Sequence, residues 1–179
     1  RVKALVSTST EREPAVTILS TTDLEELYRR LGHRFRRPKL LQQALTHKSF
    51  AHESESSDHN ESMEFLGDAI LGFLVTDFIY RDFSTLTEGR KSKIKAYLVS
   101  ATTLSRLALG LEIPQFLLLG KGEEKTGGRK KKTLSANALE AVVAAIYLDS
   151  NVDAARCFLE LLYAPLIDEV REGQAVVED

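Results

Sequence analysis

A chain of 179 residues, 43% of them hydrophobic, has the size of one ordinary domain with tails and enough apolar side chains for a core. No uncharged run approaches the roughly 18 apolar residues of a membrane span, and a single cysteine, Cys157, excludes an intrachain disulfide framework and fits a reducing, cytoplasmic setting. A net charge of -2 excludes a bulk polycation, so any contact with nucleic acid must rest on local patches.

The opening segment RVKALVSTSTEREPAV has neither an initiator Met nor the apolar stretch of a signal peptide, and reads as the start of an internal fragment. Residues 1–20 lack periodicity and are expected to form a flexible arm. Thr22-Asp-Leu-Glu25 has capping-box spacing; Leu24, Leu27 and Leu31 follow at helical intervals, and Gly32 is a stop. Pro38 suits the first turn of a second helix carrying Leu40, Leu41 and Leu45. HESESSDH, residues 52–59, is expected as a polar loop.

A long helix is predicted from about Asn60 to Tyr80 and another from Thr87-Glu88 through Val99. A shorter one covers Ala101 to Leu109 and ends at Gly110. After a loop at Pro114 and a Gly/Lys-rich stretch, helices are predicted from Thr133 to about Leu148 and from Val152 to Leu162 or past Pro165. Cys157, in VDAARCFLELL, is expected as a small buried residue. No segment alternates with period two, so the fold class is all-α. A folded domain is expected over 21–170, with 171–179 as a linker.

Two acidic segments stand out. In Glu61-Ser-Met-Glu64-Phe-Leu-Gly-Asp68, the three acids share one helical face, and AILGFLV continues the helix as an apolar element. Carboxylates gathered on a buried helix repel one another and lose hydration, which a cation or a hydrogen-bond network can offset. The plainer alternative is a wet flank, or a cap at the positive end of the helix, and it weighs most for Glu61. In Ser135-Ala-Asn137-Ala-Leu-Glu140, Asn137 and Glu140 share a face of a second apolar helix. Packed together, the two helices would gather oxygen ligands from Glu64, Asp68, Asn137 and Glu140, a set suited to magnesium or manganese rather than zinc. A carboxylate di-iron bundle would require Glu-x-x-His pairs, and none of His33, His47, His52 or His59 stands three residues after a Glu. Between the acidic segments, Lys121, Lys125, Arg129, Lys130, Lys131 and Lys132 crowd around Gly127-Gly128, as a solvated flexible loop or a contact for a polyanion.

HNESMEFLGDAIL closely resembles the first acidic motif of the ribonuclease III family, and ANALEAVVAAIYLD resembles its second. LTHKSF, EGRKSKIKAYLVS and GKGEEKTGGRKK match the connecting pattern in order and spacing, so the resemblance runs from about Leu24 to Leu162. It implies an all-helical, magnesium-dependent endonuclease, with manganese as substitute, that cuts double-stranded RNA as a homodimer and leaves 5′-phosphate and 3′-hydroxyl ends, in rRNA and other RNA processing. Carried over by position, Glu64, Asp68 and Glu140 become metal ligands, Asp68 and Glu140 catalytic, and Glu61 a supporting acid. Phe65 becomes the dimer anchor that enters a socket on the partner, against the alternative of ordinary core. Lys125, Arg129, Lys130 and Lys131 become candidate RNA contacts. The departure is Asn137, where the family usually has Asp; it keeps an oxygen and loses a charge, leaving a weak or silent RNA-binding relative as the alternative to a working enzyme. The family usually carries a double-stranded-RNA-binding domain after the nuclease domain; EGQAVVED reads as a linker, and the module is expected either to lie beyond these 179 residues or to be lacking in this member.

Overall fold

The computed structural model describes residues 18–173. Among these there is no strand, only one isolated bridge between Thr46 and Leu118, so the all-α expectation holds. The expected arm lies outside the described residues up to position 17, as does the expected linker from 174. Of the arm's described end, Leu19 is buried in the core and Ser20 caps the first helix.

That helix, α1 (Thr21–Leu31), starts two residues earlier than the Thr22/Glu25 pattern suggests. Its capping box is Ser20 with Asp23: the Ser20 hydroxyl accepts from the Asp23 amide, and Asp23 accepts from the Ser20 amide. Gly32 ends it at φ 62°, as its stop role requires. Next come α2 (Pro38–Ala44) and a helix absent from the sequence reading, α3 (Lys48–Glu53), so only residues 54–59 of the expected loop are non-helical.

The centre is a pair of long helices, α4 (Glu61–Asp82) and α8 (Lys132–Asp149). From Ala141 to Ile146, α8 is completely enclosed, a run of Ala, Val and Ile with no polar member. Such a helix must be covered on all sides. The cover comes from α4, from α2, from α6 (Ala101–Gly110), and from α9 (Val152–Arg171), which runs through Pro165. Between α4 and α6 lies α5 (Glu88–Leu98), capped by Thr87. A further unforeseen helix, α7 (Lys121–Lys125), interrupts the basic stretch before α8.

Two expectations fail. Cys157 is exposed: on α9 the inward positions are Ala155, Phe158 and Leu159, and Cys157 falls on the solvent side. Nor is the basic stretch an untethered loop. Gly120 N donates to Ser49 Oγ (2.9 Å), Lys121 N donates to Glu53 Oε2 (3.0 Å), and Arg129 Nη1 donates to the Pro114 carbonyl (2.7 Å).

A second polar node fastens the other end of α8. Asp149, with its side chain 1% exposed, accepts from the Arg36 and Arg37 amides at 3.0 and 2.9 Å and stands 3.1 Å from His33 Nε2. These donors hold its carboxyl below the usual range despite burial, and tie the 33–37 turn to the end of α8.

Candidate metal centre and its surroundings

Gly67 creates the site. A Cβ there would overlap the Glu140 carbonyl, because α4 and α8 cross with backbone against backbone. Only glycine allows this approach inside a helix. Glu64 lies one turn before Gly67 and Asp68 directly after it, while Glu140 is the opposite contact point and Asn137 lies one turn before it. The crossing therefore collects the acidic residues of both segments around one place.

Their electrostatics register that closeness. Burial, then the charges of Asp68 and Glu64, push the Glu140 carboxyl up to about 7. Burial also raises Glu64, while Asn137, donating through its side-chain amide, opposes that rise. With its nitrogen on Glu64, Asn137 has its carbonyl oxygen left over as a neutral donor atom for a cation. Glu61 differs from the others. It is exposed at the first position of α4 and pairs with Lys48 Nζ at 2.9 Å, which holds its carboxyl below the usual range.

Oxygen donors with a repulsive, partly desolvated charge set suit a hard divalent cation. Among the described residues, no three His, Cys, Asp or Glu side chains converge tightly enough to hold one ion.

Phe65 is 82% exposed, which excludes it from the core of this chain. Beside it, an open groove of about 720 Å³ is lined by Leu66, Ile70, Phe73, Tyr147, Leu148 and Val152. Of the basic candidates, Arg129 pairs with Glu124 at 2.8 Å and Lys131 with Glu123 at 2.6 Å. Lys125 and Lys130 are exposed and form no ion pair among the described residues. Sequence reading missed His47, half-buried at the start of α3, and the Lys48–Glu61 pair. The segment LTHKSF was visible, but nothing in it shows that residues 46–49 reach α4 and the basic stretch.

An all-helical domain built around two crossed apolar helices, with carboxylates from both at the crossing, defines the class as a helical nuclease-type fold. The Ribonuclease-III-like family model matches residues 37–166, and the chain belongs to that family. It is 47% identical over 147 residues to ribonuclease 3 of Bdellovibrio bacteriovorus, covering 82% of this chain and 63% of that protein. To ribonuclease 3 of Cupriavidus taiwanensis it is 45% identical over 148 residues, 83% of this chain and 56% of that one. The chain thus spans about 56–63% of the length of these relatives.

Among solved structures, the nuclease domain of ribonuclease III from Campylobacter jejuni superposes with a TM-score of 0.75 at 35% identity, covering 79% of this chain and 96% of that one; that domain has structural flexibility in a region involved in dimer formation. Dicer from Pichia stipitis superposes with a TM-score of 0.59 at 25% identity, covering 81% of this chain and 62% of that one.

Proposed function

We propose that this chain is the catalytic domain of a metal-dependent endoribonuclease that cleaves double-stranded RNA to 5′-phosphate and 3′-hydroxyl ends, acting as a homodimer in cytoplasmic RNA processing, rRNA included. The observation that carries the reading is the Gly67–Glu140 crossing, which brings the two helices bearing Glu64, Asp68, Asn137 and Glu140 into backbone contact inside a chain of this family. Magnesium, or manganese in its place, would be held by these four residues and would supply an activated water and charge neutralisation at the departing 3′ oxygen.

The chain's own contribution is orientation and charge. Burial first, and the charges of Asp68 and Glu64 second, bring the Glu140 carboxyl to about 7, so without a cation it carries a proton part of the time at neutral pH. Asn137 orients Glu64 through its amide. Glu61, tied to Lys48, supports the edge of the site rather than entering it. Lys125 and Lys130 are the basic residues best placed to meet phosphates; Arg129 and Lys131 must first leave their acidic partners.

The dimer reading is supported by an exposed aromatic and an open apolar groove on the same chain, features that a two-fold interface would cover. Two sites related in this way would cut both strands. The test is labelled duplex RNA incubated with the purified chain, with magnesium and with chelator, beside Glu61→Ala and Glu140→Ala. Cleavage is expected with magnesium only, with Glu140→Ala far more damaging than Glu61→Ala. Equal cleavage in chelator would remove the metal-dependent reading.

Asn137 supports a second reading, a weak or silent domain that binds structured RNA. Binding without cleavage, and cleavage gained in Asn137→Asp, would establish it.

A further inference from the structure

His47 stands where three parts of the chain meet. Its amide donates to the Leu118 carbonyl (3.0 Å), and the neighbouring Thr46 carbonyl accepts from the Asn60 amide (2.9 Å), one residue before α4. The segment is thereby held against the first acidic motif on one side and the approach to the basic stretch on the other. Ser49 continues the link: its hydroxyl accepts from Gly120 N at 2.9 Å and stands 2.8 Å from His47 Nδ1.

Nδ1 is an acceptor. The Ser49 backbone amide, which can only donate, points at it from 3.2 Å, and the Ser49 hydroxyl is placed to donate as well. The ring's proton therefore sits on Nε2, since a proton on Nδ1 would face the amide hydrogen. Partial burial likewise disfavours the charged ring, pushing it below the ordinary histidine range. The charged groups around it are Glu123, Lys48, Glu61 and Lys131. They form two ion pairs, Lys48–Glu61 and Lys131–Glu123, whose lysine side chains remain 63% and 46% exposed.

Nε2 has no partner among the described residues. Because no fully buried side-chain nitrogen among them lacks a hydrogen bond, Nε2 is not fully buried. A donor with its proton locked in place, flanked by two exposed ammonium groups beside the acidic site, matches an anionic oxygen.

Resting on the duplex-RNA reading above, we propose that His47 positions the substrate by donating from Nε2 to a backbone phosphate oxygen of the RNA, with Lys48 and Lys131 turning toward the same phosphate. His47 supplies direction and the lysines supply charge. It is a positioning residue and takes no part in the chemistry.

The test compares His47→Asn and His47→Gln with the wild type. Asn is a preferred cap, keeps an acceptor for the Ser49 amide, and has no group reaching the Nε2 position. Gln carries an amide N–H out to that position. In the wild type, duplex RNA binding is measured in calcium and cleavage in magnesium; failure of both would sink the function proposed above, and this inference with it.

Given a functional wild type, His47→Asn is expected to weaken duplex binding and raise KM about tenfold, the worth of one hydrogen bond to a charged acceptor. Its kcat and Tm should be unchanged, and His47→Gln should recover much of the loss. The dependence of affinity on salt should keep the same slope, because no charge is removed, whereas Lys48→Gln should flatten it. His47→Asn binding as the wild type does, or losing Tm or kcat instead of KM, would overturn the assignment.

Discussion

Gly67→Ala inverts the ordinary rule for helices. At an open helical site, replacing Gly by Ala stabilises by about 0.5–1 kcal/mol, because the unfolded chain loses freedom. Gly72, on the same helix with nothing within 4 Å of its would-be Cβ, is such a site. At Gly67 the new methyl would occupy the space of the Glu140 carbonyl, and backbone does not yield as a flexible side chain does. The helices must part by about 1 Å, a displacement that costs on the order of a hundredfold in rate when it separates catalytic groups. Overpacking of this kind costs about 1–3 kcal/mol. Urea unfolding should therefore show Gly67→Ala destabilised by about 2 kcal/mol and Gly72→Ala unchanged or stabilised, with equal m values. Duplex cleavage should fall about a hundredfold in Gly67→Ala alone. A stabilised Gly67→Ala with full activity would refute the crossing as the origin of the site.

Glu140 binds a proton in the folded chain up to about pH 7, whereas the unfolded chain releases it near 4.5. Stability in chelator should therefore fall as pH rises from 4.5 to 7, and Glu140→Gln should be more stable than wild type by about 2 kcal/mol at pH 8 but equal at pH 4; a difference independent of pH would exclude this. Asn137→Asp removes the amide donated to Glu64 and adds a like charge, so thermal unfolding in chelator should occur at lower temperature. In magnesium the same variant should need less cation for half-maximal activity and turn over faster, and slower turnover would show that the amide is required. Phe65→Ala should leave the monomer's stability within about 0.5 kcal/mol, since the side chain is 82% exposed. It should shift sedimentation toward monomer, and an unchanged dimer would remove Phe65 as an anchor.

Much of this molecule is written locally. Periodicity placed α4, α5, α6 and α8 and the start of α9 within a few residues, because amphipathic and enclosed helices carry their burial in their own spacing. The two acidic motifs were legible for the same reason: charge on an otherwise apolar helix is anomalous without any partner in view. The short helices α3 and α7 were not, since fewer than two turns leave no periodic trace and their ends are fixed by partners such as Ser49 and Glu53, distant in sequence. Ser20–Asp23 escaped for a smaller reason, lying before the first apolar repeat. Cys157 depended on the phase of α9, which its partners determine. That Gly67 is a contact point against Glu140, that Asn137 orients Glu64, and that His47 is locked as an Nε2 donor were decided only by tertiary structure. Composition and spacing determine which groups a helix carries and on which face. What those groups meet is set by backbone approach across long stretches of chain, and there a single missing Cβ decides how near two carboxylate-bearing helices can come.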